Sequence, residues 1–431
     1  MRLAASFMTS RQRGAATLVV VMMLFLVMAL LAAYANRNLM FEQRMASGYT
    51  RGSLSQEVAE GGIEWTLAQL NGPAIDTACK PQSAGGQRFV DRYLSVDPTD
   101  RSYKLVQTYN RVTADCTRDL VNEGWACRCP AIPTRTRPAA MGGATLTPSF
   151  GIQFVLKTTR SGTFQVKSVA CTDSVVDNCA ISSSSAINRS QGQLAVSTFT
   201  ATIALVSAVR NPPAAPLIVK GNVDMTGTGL GLHNTDPRSA GSLLAIGGDW
   251  SGLNEARMQS VPGTAPELAR IKGDQTLSTK TADDVFKMFM GAAPSRYEQH
   301  PSLRTVTCSG DCAGTLEEAY AAGKRILWVN GPLIIRSDKT LGSVSDPVLV
   351  IATDVTIEGP FQLNGMLVAR GDLSWSNDSG LTSLVTGIVL VGGRMQTTGS
   401  MDISYQQAVT DQLRNRMGSY VRVPGGWIDN D

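Results

Sequence analysis

Hydrophobic and polar positions change character along the chain, and the first change comes early. Met1 to Gly14 is polar and basic, with Arg2, Arg11 and Arg13, and an uncharged run follows from Ala15 to Ala35. As a helix that run rises about 31 Å, close to the hydrocarbon thickness of a bilayer. Positive charge directly before it places the N-terminus on the cytoplasmic side of a membrane. No other segment approaches that length without charge, so the pattern predicts a single anchor. Gly and Pro are absent from Ala15 through Ser47, and the sequence stays helix-compatible to Asn71. Val58, Ile63, Trp65, Leu67 and Leu70 leave an apolar stripe on the later part, suited to packing under a globular head. One long helix over 15–71 is predicted, with its first part, 15–35, in lipid. Gly48 and Gly52, each costing about 1 kcal/mol relative to Ala, mark places where it can bend.

Past residue 72 the period becomes that of strands. Residues 72–88 read as a Pro-, Gly- and Ser-rich loop, and 72–210 as a whole as a β-rich head. Gly151–Thr158 and Thr163–Val169 alternate on either side of Ser161-Gly162, a hairpin signal. A third strand is expected near Gln193–Val209. The long helix laid on this antiparallel sheet gives an α+β N-terminal part. Asn211-Pro212-Pro213-Ala214-Ala215-Pro216 reads as a stiff linker, because proline fixes the backbone.

Beyond the linker a short pattern recurs. It appears at Val219–Met225, Ile246–Trp250, Val329–Ile335, Ile351–Ile357, Val368–Trp375 and Leu390–Met395. In each, an apolar strand meets a turn of Gly, Asn, Asp, Pro or Arg and continues apolar. Leu333, Val355, Leu373 and Met395 are separated by 22, 18 and 22 residues. A period near twenty with one corner per repeat predicts a parallel β-solenoid within 217–431, interrupted by an insertion at 251–325. A sandwich with coincidental spacing is the competing reading. Thr281–Met290 is expected to be helical, and Tyr405–Met417 a short helix covering the open end of the stack.

Charge and cysteines narrow the setting. The net charge is +4, and the three arginines of 1–14 leave +1 for the remainder, which argues against general nucleic-acid binding. Eight cysteines, at 79, 116, 127, 129, 171, 179, 308 and 312, all follow the anchor. An even number on the far side of a membrane fits disulfides. Cys171 with Cys179 and Cys308 with Cys312 are natural local pairs; Cys79, Cys116, Cys127 and Cys129 cannot be paired from sequence. His233 and His300 are the only histidines, and the spacings do not suit zinc. No metal or cofactor is expected.

Catalytic motifs are missing too. The sequence holds no Gly-x-Ser-x-Gly, no His-Glu-x-x-His and no phosphate-binding loop, so the protein is not expected to be an enzyme. Asp283-Asp284 and Glu317-Glu318 read as solvated helix faces, and Asp354 and Asp372 as turn residues. Trp250 and Trp375 read as core residues before sugar platforms.

The junction Arg13-Gly14-Ala15-Ala16-Thr17-Leu18-Val19 is unlike a secretory signal, whose small residues follow the apolar core so that cleavage removes it. Here the glycine precedes the core. With Glu42-Gln43-Arg44-Met45-Ala46 and Glu57–Glu64, this stretch resembles the N-terminus of PilX-type minor pilins of type IV pili, over residues 11–71. The tail Val423-Pro424-Gly425-Gly426-Trp427 is similar to the ending of that family, with its third residue departing. The resemblance implies a leader, 1–14, cut after Gly14 by a prepilin peptidase, and N-methylation of Ala15. Most pilins carry glutamate at the fifth mature position; here that residue is Val19, as in family members thought to cap or prime assembly.

Further implications are location in the inner membrane and then at the pilus tip. The implied partners are other minor pilins, the major pilin, the inner-membrane assembly machinery and a large tip adhesin of the PilY kind, with a role in adhesion. A GspK-like tip pseudopilin of a type II secretion system is one alternative. A membrane-anchored carbohydrate-binding or carbohydrate-active solenoid is another.

Overall fold

A computed structural model describes residues 14–83, 85–106, 113–119, 124–131, 147–156, 161–172, 195–265 and 267–429. The expected leader up to Arg13, Cys179 and the start of the expected third strand lie outside these residues.

One uninterrupted helix runs from Gly14 to Leu70. Its 57 residues give a rod about 85 Å long, and Gly48 and Gly52 lie within it without a break. The rod ends just before Gly72-Pro73, where proline cannot continue a helix. Its later part packs on a six-stranded antiparallel sheet ordered Gly418–Asp429, Val196–Ser207, Thr163–Cys171, Ser149–Val155, Ala114–Asp119 and Gly124–Arg128. Val58, Ala59, Ile63 and Leu70 meet Phe150, Ile152, Phe164, Val166 and Ile203 in one core. At Gly62 the helix comes so close that a Cβ would sit 2.3 Å from Ser168 Oγ. The hairpin expected around Ser161-Gly162 pairs in register from Val155↔Gln165 to Ser149↔Cys171.

Two small antiparallel pairs, Ala74–Ile75 with Gln87–Arg88 and Leu94–Val96 with Tyr103–Leu105, stand apart, and the other strands among the described residues form a curled sheet of sixteen strands whose pairs are parallel throughout. The pairs fall into three columns. One holds Leu303–Val306, Ile326–Val329, Val348–Ala352, the later parts of Gln362–Ala369 and Leu384–Val391, then Leu217–Val219, Leu244–Ile246 and Arg270–Ile271. The second aligns Leu333, Val355, Leu373, Met395, Val223 and Trp250, matching the spacing read from the sequence. The third aligns Thr340, Gln362, Leu384 and Asp402, with Gly231 beside Asp402. Where the chain turns from the third column into the first, Gly365 and Gly387 stack with φ of +146° and +143°. A Cβ at Gly365 would lie 1.8 Å from the Val348 carbonyl oxygen, so only glycine fits.

Long-range packing corrects two expectations and sets an order of repeats that the sequence leaves open. The first segment after the linker does not start the stack. Val223 pairs with both Met395 and Trp250, so the segment inserts beside the last repeat. Residues 251–325 do not simply interrupt the sheet, since Arg270–Ile271 and Leu303–Val306 join it on opposite sides. The helix Gln407–Asn415 does not cover an open end. Its Val409 and Leu413 pack with Met366, Val368, Ile388 and Leu390 on the sheet's outer face. The first column alternates between that outer cluster and an inner one containing Leu367, Ala369, Val389 and Val391. Both faces are apolar, and a parallel sheet of this kind needs cover on each. Ala282–Met290, capped by the Thr281 hydroxyl, covers the same face through Val285, Phe286 and Met290.

Candidate functional site: the anchor helix and its junction with the head

From Ala16 to Thr50 every residue of the N-terminal helix is exposed. The helix is long and apolar enough to cross a membrane, with a mean hydropathy of 2.8 in its most apolar window. Gly14 and Ala15 form its first turn, and Val19 sits on its surface, 55% exposed, among Leu18, Val20 and Val21. Arg37 is the first charge after the run. Leu39, Met40, Phe41, Met45 and Tyr49 continue the exposed apolar surface past it, interleaved with Glu42 and Arg44. Burial starts near Ser55, whose hydroxyl meets Ser197 Oγ at 2.7 Å. At the head end Arg422 reaches Glu64 at 2.6 Å.

Asn71, just past the helix, holds the junction together. Its Nδ2 donates to the Leu67 and Tyr420 carbonyls, both at 2.9 Å, and its Oδ1 accepts from the Tyr420 N–H at 2.8 Å. Oδ1 also accepts from the Ser302 hydroxyl at 2.8 Å. Gly418–Asp429 is an edge strand, and the Asn71 carboxamide satisfies the outward-facing backbone groups of Tyr420 much as a further strand would. Asn71→Ala should therefore lower stability by about 2 kcal/mol, since it leaves half-buried backbone groups without partners. Urea unfolding of the full chain in detergent reads the change. A loss below about 0.5 kcal/mol would show that water replaces the amide.

A charged chain crosses from the head to the parallel sheet. Arg416 donates to Asp91 at 2.9 Å, and Arg88 bridges Asp91 at 2.6 Å to Asp346 at 3.3 Å. Arg325 grips Asp346 with two bonds, of 2.9 and 2.6 Å, while stacking on Tyr320 at 3.9 Å. Burial pushes the Asp346 carboxyl up. The Arg325 hydrogen bond and the charges of Arg88, Arg325 and Arg416 outweigh it and hold the group below the usual carboxylate range.

The remaining sequence candidates find ordinary roles. Cys308 pairs with Cys312 as expected. Cys171 is disulfide-bonded, while the expected partner Cys179 is outside the described residues. The four open cysteines pair as Cys79–Cys129 and Cys116–Cys127. Asp354 Oδ1 accepts from the Asp372 N–H and Asp372 Oδ1 from the Arg394 N–H, so these carboxylates knit successive corners. Trp375 is buried and bonds Ser383; Trp250 lies between Arg270 and Lys272. Among the described residues no His, Cys, Asp and Glu cluster is suited to a metal. Sequence reasoning missed Asn71 and Asp346, because their partners lie hundreds of positions away for one and across domains for the other. The Asn71-Gly72-Pro73 helix stop was the one local signal.

Residues 13–64 match the family model described as PilX N-terminal. The anchor segment is type IV pilin-like. No curated protein matches the chain. Among solved structures the chain is similar to the competence-associated pilin ComZ from Thermus thermophilus, at 8% identity and a TM-score of 0.24, over 88% of this chain and 98% of that one. A pilin-like N-terminus, one candidate membrane helix among the described residues and a large β-rich head fit a single-pass membrane protein.

Proposed function

We propose that this protein is a minor pilin that primes or caps type IV pilus assembly at the filament tip and carries an enlarged extracytoplasmic head. One observation carries the reading: a PilX-like helix, exposed on all sides from Ala16 to Thr50, has no acid within its uncharged run. A buried carboxylate in lipid is costly without a cationic partner. Val19 removes that cost where no subunit above offers an amine, which suits a tip position. The apolar side chains of Leu39, Met40, Phe41 and Met45 lie beyond the uncharged run, so neighbouring helices of a filament would cover them. The same valine suits a GspK-like tip pseudopilin of a secretion system equally well.

In this reading a prepilin peptidase cuts after Gly14 and methylates Ala15. The partners are other minor pilins, the major pilin, the inner-membrane assembly machinery and a PilY-type adhesin, and the head serves adhesion without catalysis. The three columns of parallel pairs read as the faces of a β-solenoid that holds the head rigid. The test is the mass and first residue of the mature chain from a host carrying the peptidase. The expected product begins at methylated Ala15, and Gly14→Ile leaves the full precursor. A mature chain starting at Met1, or equal masses for both forms, would sink the proposal.

A further inference from the structure

Three arginines at the junction between head and parallel sheet, Arg88, Arg325 and Arg416, answer a carboxylate. Four do not. Arg101 precedes a head strand, Arg210 follows the strand Val196–Ser207, Arg296 belongs to the short helix Pro294–Tyr297, and Arg414 lies in the last turn of Gln407–Asn415. These four line one cavity of 610 Å³, together with Asn211 and His300, and no carboxylate lines it. Among the described residues none of the four makes a salt bridge. We infer that this cavity binds a ligand carrying at least two adjacent phosphoryl groups.

The arrangement is built rather than incidental. Arg101 is held at three points: Nε donates to Asn415 Oδ1 at 2.7 Å, and NH2 donates to Ser207 Oγ at 2.5 Å and the Arg414 carbonyl at 2.9 Å. Its backbone adopts φ of +62°, a conformation that side chains other than glycine rarely take. Burial, and then the neighbouring Arg414 charge, lower its pKa, so the guanidinium is held where its charge is penalised. An arriving anion relieves that penalty. His300 does not add a positive charge, because burial pushes its imidazole down to about 4. At neutral pH the cavity therefore presents the four guanidinium charges and no negative one.

Guanidinium groups pair with carboxylate or phosphate oxygens through parallel N–H bonds. Charge and size decide between these ligands. A single carboxylate answers one of four arginines, whereas a diphosphate brings about three charges within one small volume. The cavity lies in the range of small-molecule sites, about 300–1,000 Å³, and is much larger than one orthophosphate. A diphosphate with an attached group fills it. This inference does not rest on the filament reading.

Isothermal titration of the full chain in detergent with sodium pyrophosphate, at pH 7.5 and low salt, tests it. One site per chain is expected, with orthophosphate binding at least about tenfold more weakly. The double variant Arg210→Gln, Arg296→Gln should weaken pyrophosphate binding at least about tenfold. Both side chains are exposed, so its thermal melt should match the wild type. Arg336→Gln, whose parent pairs with Glu358 and does not line the cavity, should bind as the wild type does. Absence of binding, unchanged affinity in the double variant, or citrate binding as tightly as pyrophosphate would each overturn the assignment.

Discussion

Replacing Cys79 and Cys129 together by alanine should cost the head about 4 kcal/mol, the largest loss expected from any one bridge. The two cysteines are 50 residues apart, and closing a loop of that length removes roughly that much chain entropy from the unfolded state. The bridge fastens the segment after the long helix to the end of the strand Gly124–Arg128. Cys129 N–H donates to the Thr77 carbonyl at 2.8 Å, and the buried Arg92 donates to the Cys129 and Ile75 carbonyls. Both half-cystines are buried, so their loss also leaves a packing defect in the head core. Cys116–Cys127 and Cys308–Cys312 close loops spanning 11 and 4 residues, for which the same argument gives about 3 and 2 kcal/mol. Thermal unfolding of the three double variants should rank them in that order. Equal losses, or a smaller loss for Cys79/Cys129, would mean that the bridge acts through something other than loop closure.

Asp346→Ala should cost about 3 kcal/mol, because it strands the partly buried Arg325 guanidinium and leaves Arg88 with Asp91 alone. The Arg325 and Arg88 side chains are 13% and 18% exposed, and Asp346 is 32% exposed, which keeps the figure at the lower end for a buried pair. Asp346→Asn keeps the shape and should lose less. The effect has a defined pH window. Burial works against the Asp346 charge, but Arg325 and Arg88 hold its folded pKa below the usual value. The stabilisation is thus fully present above the unfolded carboxylate pKa of about 3.9 and fades as pH falls through the lower folded value. Urea unfolding at pH 7 and near pH 3 should show the gap between wild type and Asp346→Ala narrowing in acid. A gap that stays constant would mean that Asp346 contributes packing and no charge.

Much of the candidate site was open to reading because it is local. An uncharged run of bilayer length marks a candidate membrane helix from its own residues, and Gly14 before Ala15 needs no tertiary partner to be noticed. The corner residues Asp354 and Asp372 were legible as turn formers, and the structure shows them doing that. Trp375, read as a core residue before a sugar platform, is in the core. The junction was not legible. Asn71 answers Tyr420 from 349 positions away, and no pattern near either residue points to the other. The arginines of the cavity come from four separate segments, and each alone reads as a solvated surface charge.

The C-terminal strand shows the same division most clearly. Its Val423-Pro424-Gly425-Gly426-Trp427 ending was noticed for its family likeness, but neither the strand nor its location was. It leaves the parallel sheet and pairs with Val196–Ser207 in the head, Gly418 opposite Ser207, with a register shift between Arg422 and Trp427. The edge of the head sheet was unpaired without it.

By itself the sequence determined the apolar run as a candidate anchor, the long helix, the head hairpin, the helix Ala282–Met290 and the spacing of the parallel corners, because each follows from residues within a few turns of one another. Tertiary structure alone decided that the first repeat lies beside the last, that the Gln407–Asn415 helix covers a sheet face, which cysteines meet, and where four arginines gather. Those choices follow from which apolar faces and unpaired edges remain to be covered once the local elements exist, and that accounting is made across the whole fold.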